Sequence, residues 1–138
     1  MEEKTKILVA DDDADNLRSV GAMLSSLGYE TILAGNGEEA LARIKEKLPS
    51  VILLDTIMPG IDGFEVLRQV KEDPTTKTIP VIMMTARSET EERLKTLAAG
   101  VDDFLIKPAD EAELQTRVSS LLKVKAYNNQ ILNYHQDL

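Results

Sequence analysis

Four apolar runs in this chain end in polar residues of a matched kind. Ile7-Leu8-Val9-Ala10 is followed by Asp11-Asp12-Asp13, Val51-Ile52-Leu53-Leu54 by Asp55, Val81-Ile82-Met83-Met84 by Thr85, and Phe104-Leu105-Ile106 by Lys107. Any one of them has a plain reading, since an Asp after a strand commonly caps the next helix, and for Asp13 or Asp15 that reading is the better one. As a set they suit a reaction. Three carboxylates held close together repel, by about 4 kcal/mol for a unit pair at 4 Å and an effective dielectric of 20, and so require a cation. Mg²⁺ fits, with Mn²⁺ as the alternative, because it takes one or two carboxylates, waters and a phosphate oxygen rather than a closed protein cage. The Lys107 ammonium supplies a further positive charge, and the Thr85 hydroxyl can donate to an anion's oxygen. Carboxylate, divalent cation, lysine and hydroxyl are the parts of a phosphoryl-transfer site, where positioning and charge neutralisation supply most of the catalysis. Asp55 is the best candidate for a carboxylate nucleophile that forms an acyl phosphate.

Composition narrows the field in the same direction. The chain has 138 residues, 24 acidic against 16 basic, for a net charge of −8. That is one domain's length, enough to hold itself together by an ordinary core. With no Cys and a single His, His135 near the end, disulfide frameworks, thiol nucleophiles, iron–sulfur clusters, Cys-based zinc sites and His-dependent triads are excluded or strongly disfavoured. The acidic balance argues against direct nucleic-acid binding. The N-terminal apolar run is too short for a signal peptide, and no stretch approaches the length of a membrane span, so the expectation is a cytoplasmic protein with no membrane partner.

The elements that must position the set alternate along the chain. Besides the four runs above there is Thr31-Ile32-Leu33-Ala34, and the runs at 7, 51 and 81 are continuously apolar, as strands covered on both faces must be. Between them lie helical stripes at Leu17, Val20, Leu24 and Leu27; Leu41, Ile44 and Leu48; Phe64, Leu67 and Val70; Leu94 and Leu97; and Leu114, Val118 and Leu121. Asn36 with Glu39, Asp62 with Glu65, Ser88 with Glu91 and Asp110 with Glu113 resemble capping boxes, and Gly28, Pro74 and Gly100 mark helix ends. The pattern is (βα)₅. Right-handed crossovers then give an α/β, doubly wound three-layer sandwich of the flavodoxin-like kind, with a central five-stranded parallel sheet. Ligands of such sheets bind beyond the carboxyl ends of the strands, where the polar set falls.

Over residues 5 to about 122 the chain resembles the receiver domain of two-component response regulators, of the chemotaxis-receiver kind. The resemblance is carried by Ile7-Leu8-Val9-Ala10-Asp11-Asp12, by Asp55-Thr56-Ile57-Met58-Pro59-Gly60 with Asp62-Gly63, by Met84-Thr85-Ala86, and by Phe104-Leu105-Ile106-Lys107-Pro108, all in register. It implies that Asp55 is the phosphoacceptor for a histidine kinase or phosphotransfer protein, that Asp11, Asp12, Asp55 and the Ile57 backbone carbonyl hold Mg²⁺, and that Thr85 and Lys107 contact the phosphoryl oxygens. It implies too that Phe104 is a rotamer switch; a plain edge-strand aromatic is the alternative, and a phenolic output contact is excluded. Ile57 and Arg87 stand where the family tunes access of hydrolytic water. Receivers often carry a cis Lys–Pro bond, which the sequence leaves open. The family is a signalling phosphoacceptor that assists its own phosphorylation and dephosphorylation, not a turnover enzyme. Its output surface is formed by the fourth helix, which begins near Ser88 and has few apolar anchors, the fifth strand and the fifth helix.

Three other readings are weighed against this one. Asp11-x-Asp13-x-Asp15 echoes a calcium loop, but Asn16 stands where the turn Gly belongs and Ala22 where the bidentate Glu belongs. A haloacid-dehalogenase-type phosphatase with Asp11 as nucleophile would leave Asp55 idle, and its acidic pair, Asp102-Asp103, precedes the lysine instead of following it; a solvated turn at the far end of the sheet suits that pair better. A phosphorylation-independent interaction module would not need the acid set. The receiver unit is expected over 1–122, with 123–138 a helical extension or linker. There Val124, Tyr127, Ile131, Tyr134 and Leu138 form a heptad-like seam, which suits a homodimer or an output domain; a disordered remnant is the alternative. Similar tails lead into cyclic-dinucleotide enzymes or kinase modules, and His135 is taken as incidental.

Overall fold

Continuous apolar runs become the centre of a sheet. The computed structural model describes residues 4–85 and 100–123. Its strands are β1 (Lys6–Ala10), β2 (Glu30–Ala34), β3 (Val51–Asp55), β4 (Val81–Thr85) and β5 (Asp103–Ile106). All pair in parallel in the order β2-β1-β3-β4-β5. β3 and β4 are buried at every residue, and β1 at all but Lys6, whereas the edge strands β2 and β5 are only partly covered. Alternation divides the apolar residues between two layers. Leu8, Ala10, Ile52, Leu54, Val81 and Met83 face a cluster with Ala40, Ile44, Val66, Leu67 and Val70; Ile7, Val9, Val51, Leu53, Ile82 and Met84 face Val20, Leu24, Leu114 and Val118. Each such buried Val, Leu, Ile or Met side chain contributes about 1.5–3 kcal/mol relative to exposure, so a slip of one residue in any central strand is strongly disfavoured.

The covering helices are α1 (Ala14–Ser26) and a last helix over 111–123 on one face, and α2 (Gly37–Lys47) and α3 (Gly63–Glu72) on the other. α1 closes in a Schellman turn, with Tyr29 N–H donating to Leu24 O, Gly28 N–H to Ser25 O, and Gly28 at φ 95°. The capping residues are as expected, but the boxes are only half made. Asn36, Asp62 and Asp110 each accept from the amide three residues on. Glu39 reaches Gly35 N, however, while Glu65 turns to Arg68 and Glu113 to Arg117. The guanidinium offers a stronger charge-assisted bond than a solvated amide.

One stripe residue is corrected. Leu48 does not extend the buried face of α2; it is the C-cap, in the left-handed region at φ 47°, and 54% exposed, and Ala40 takes its place in the core. No described helix is long and apolar enough to cross a membrane. The fourth helical stretch from Ser88, with Leu94 and Leu97, lies outside the described residues, as do Arg87, the seam from Val124 to Leu138 and His135.

Candidate functional site

Parallel strands deliver their carboxyl ends to one side of the sheet, so the residues that follow β1, β3, β4 and β5 meet there without any local motif joining them. Asp11, Asp12 and Asp55 each place a carboxylate oxygen within 4.8 Å of the others. Lys107 Nζ lies 3.0 Å from Asp11 Oδ2 and 3.0 Å from Asp55 Oδ1, bridging the first and third strands from the end of the fifth. Thr85, the last residue of β4, is fully buried, and its Oγ1 has no hydrogen-bond partner among the described residues. A buried hydroxyl without a partner costs about 1–3 kcal/mol, which fits a group awaiting an acceptor.

The environments of the carboxylates differ. Asp11 is fully buried; burial alone would raise its carboxyl, but the Asp13 amide, the Asn16 carboxamide and Lys107 outweigh it and hold Asp11 below the ordinary value. Asp55 is 6% exposed, and burial, helped by the neighbouring Asp11 charge, pushes it up to about 6 against the pull of Lys107. Burial disfavours the Lys107 ammonium too, yet its bonds to the two aspartates prevail and hold it above its usual range. Asp12 is exposed. Three carboxylates against one ammonium leave two negative charges at the cluster, 3 − 1 = 2, the charge a divalent cation neutralises. The oxygen-only donor set, open to solvent through Asp12, fits Mg²⁺.

Local folding fixes these positions. Asp13 is the N-cap of α1, as its plain reading expected, accepting from Asp15 N and Asn16 N. At Gly63 an added Cβ would clash with the Asp55 carbonyl oxygen, so the start of α3 can press against β3 only because that residue lacks one. Ile57 N–H approaches Asp55 Oδ1 at 3.4 Å, and the Ile57 side chain is 65% exposed beside the site. Phe104 is half-buried, opposite Met83 in register, and packs on the α2/α3 layer. The Lys107–Pro108 bond is cis.

Two features escaped sequence reasoning. Asn16, considered only as a failed calcium-loop glycine, donates from Nδ2 to Asp11 Oδ2; its place five residues after Asp11, on the first turn of α1, was the available signal. Asp102 and Asp103 do lie at the far end of the sheet, Asp102 in an exposed bend as expected, but both also hold partners. Asp102 accepts from Val81 N at 2.7 Å and Lys71 Nζ at 3.1 Å, and Asp103 pairs with Arg117 at 3.2 Å. Their distance from the carboxylate cluster removes them from any phosphatase site built on Asp11.

Comparison with known proteins agrees with this geometry. The sequence model of a family described as the response regulator receiver domain matches residues 7–119. The response regulator PleD of Caulobacter vibrioides is 46% identical over 120 residues, which are 87% of this chain and 26% of PleD. The chain thus spans about a quarter of that relative. Among solved structures, the signal receiver domain of a signal transduction histidine kinase from Syntrophus aciditrophicus superimposes with a TM-score of 0.80 at 33% identity, covering 86% of this chain and 90% of that one. The Vibrio cholerae chemotaxis protein CheY4 superimposes with a TM-score of 0.80 at 29% identity, covering 86% and 99%.

Proposed function

This chain belongs to the response regulator receiver domain family, and from that premise we propose that Asp55 is its phosphoacceptor, with Asp11, Asp12, Thr85 and Lys107 as the residues that serve it. Receivers are signalling domains that take a phosphoryl group onto an aspartate from histidine kinases or phosphotransfer proteins and act on output domains. The haloacid-dehalogenase alternative finds no support in the family match or in the placement of Asp102 and Asp103.

The observation that carries the assignment is Lys107 held at 3.0 Å from both Asp11 and Asp55, with the unpartnered Thr85 hydroxyl buried at the end of the adjoining strand. In the transfer, the P–N bond of a phosphohistidine breaks as a P–O bond to an Asp55 carboxylate oxygen forms, and the departing imidazole takes a proton from solvent. Lys107 turns its ammonium to the phosphoryl oxygens, and Thr85 Oγ1 donates to one of them, so charge arriving at Asp55 is met by donors already in place. Asp11, Asp12, Asp55 and the Ile57 carbonyl would hold Mg²⁺, which would neutralise the clustered carboxylates and the phosphoryl group. The exposed Ile57 side chain shields the acyl phosphate from water.

Switching follows from the same residues. Movement of Thr85 toward the phosphoryl group makes room for Phe104 to turn inward, biasing the surface of β5, the last helix and the fourth helical stretch toward its active arrangement. The receiver unit over 1–122, its extension over 123–138 as a route to an output domain or a homodimer, and a cytoplasmic setting belong to this proposal.

Incubation with a small acyl phosphate donor and Mg²⁺, followed by intact mass, tests it. The expected result is the gain of one phosphoryl group, lost in Asp55→Asn. Label that persists in Asp55→Asn and disappears in Asp11→Asn would place the nucleophile on β1 instead. For the switch, fluoroberyllate binding is expected to shift amide resonances over 85–106; unchanged shifts there would overturn it.

A further inference from the structure

Asp11 has no exposed surface, and its two oxygens divide their partners unevenly. Oδ1 accepts from Asp13 N–H at 2.9 Å. Oδ2 accepts from two donors, Lys107 Nζ at 3.0 Å and Asn16 Nδ2. Lys107 cannot serve Asp11 alone, because it lies equally close to Asp55 Oδ1 and is the cation placed to meet an anion arriving there. Without Asn16, Asp11 would be left with no side-chain donor in the step in which Lys107 turns away, and a buried carboxylate so stripped is costly. Asn16 meets that need. It is half-buried on the first turn of α1, its own backbone N–H is anchored on Asp13 Oδ1 at 3.3 Å, and its carboxamide carries no charge to compete with the incoming group.

We propose that Asn16 is a positioning residue for the phosphoryl site: its carboxamide holds Asp11 Oδ2 so that Lys107 is free to transfer its hydrogen bond to a tetrahedral phosphoryl anion on Asp55. The inference rests on the reading of Asp55 as phosphoacceptor. It separates two duties that fall on one oxygen, since Asp11 keeps a fixed donor from α1 while its bond from Lys107 is made and broken. A residue of similar size without a donor leaves Asp11 to retain Lys107, and the anion is then bound at the expense of that pair.

Fluoroberyllate, a tetrahedral phosphoryl mimic, provides the test on the whole chain in the presence of Mg²⁺. Its affinity is measured by NMR titration for the parent, Asn16→Leu, Asn16→Gln and Asp55→Asn, and Mg²⁺ affinity without the anion is measured separately. The expectation is a fluoroberyllate affinity about tenfold weaker in Asn16→Leu, the loss of one hydrogen bond to a charged group, with Mg²⁺ affinity changed by less than about threefold. Asn16→Gln, which restores the carboxamide, returns most of the loss. The Lys107 Nζ resonance should move on anion binding in the parent and move less in Asn16→Leu at the same anion concentration. Should Asn16→Leu not fold, Asn16→Ala removes the carboxamide donor with less bulk and carries the same expectation. Parent-like anion affinity in the donor-less variant overturns the inference, as does equal weakening of Mg²⁺ and fluoroberyllate binding that Asn16→Gln does not restore. A parent that fails to bind fluoroberyllate at all overturns the Asp55 reading and this inference with it, an outcome distinct from a binding parent matched by Asn16→Leu.

Discussion

Replacing Asp55 by Asn should stabilise the metal-free protein, although it destroys the proposed acceptor. Burial and the Asp11 charge hold the Asp55 carboxyl at about 6 rather than 3.8, in spite of Lys107. The folded state therefore favours the neutral acid: the stabilisation is fully present below the unfolded value of 3.8 and is lost as pH rises through about 6. With ~1.4 kcal/mol for each pH unit, the ionised group costs the fold ~3 kcal/mol at pH 7.5. Asn mimics the neutral acid at every pH. In a chain of this length ~1 kcal/mol moves the melting temperature by roughly 3–5 °C, so Asp55→Asn should melt roughly 8–15 °C above the parent in chelator at pH 7.5. At pH 4.5 the parent is itself largely protonated when folded, and the gap should shrink to about a third. Added Mg²⁺ should stabilise the parent more than the variant, because ligand binding to the folded state raises stability in proportion to its affinity and the variant has lost one carboxylate. Paired melting curves with chelator and with Mg²⁺ at the two pH values read all of this. A variant that melts at or below the parent in chelator at pH 7.5, or a gap that does not depend on pH, would refute the argument that Asp55 is held at an electrostatic cost.

Asp12→Ala, which removes the exposed member of the cluster, should melt no lower than the parent in chelator, and Mg²⁺ should raise the melting temperature of the parent alone; equal Mg²⁺ shifts in both would contradict the metal site. Gly63→Ala forces a Cβ onto the Asp55 carbonyl, so it should lower stability by about 1–3 kcal/mol in denaturant titrations and also slow acyl phosphate labelling of Asp55; a parent-like value for either would show that α3 can retreat freely. Leu48→Asn relieves a left-handed, half-exposed leucine at the end of α2 and should raise stability by ~0.5–1 kcal/mol without altering labelling, checked by the midpoint of urea unfolding.

The proposed acceptor Asp55, with Lys107 and Thr85, was legible in the sequence because each directly follows an apolar run. A strand covered on both faces must be written as an unbroken apolar run, so Ile7–Ala10, Val51–Leu54 and Val81–Met84 declared themselves as the central strands, and alternation with helical stripes made the sheet parallel. Parallel strands share an end, and from that alone Asp11, Asp55, Thr85 and Lys107 had to gather on one side. The resemblance to receivers then supplied roles that spacing cannot.

Contacts between residues distant in sequence, and backbone conformations chosen against preference, belong to the tertiary structure. Nothing in the composition of α1 says that Asn16 will turn onto Asp11, since an Asn on a first turn serves equally well in solvent. Leu48 continues the α2 stripe by period, yet the chain must leave the helix there to reach β3, and the left-handed turn carries the side chain outward. Asp102 lies in an exposed bend, as expected, but only the pairing of β4 with β5 sets it against the Val81 amide and Lys71. The sequence by itself determined which strands lie at the centre and which acids share an edge, because burial and periodicity are local patterns. Only the tertiary structure decided that one lysine would be divided equally between two of those acids, because that depends on how β1, β3, β4 and β5 lie side by side.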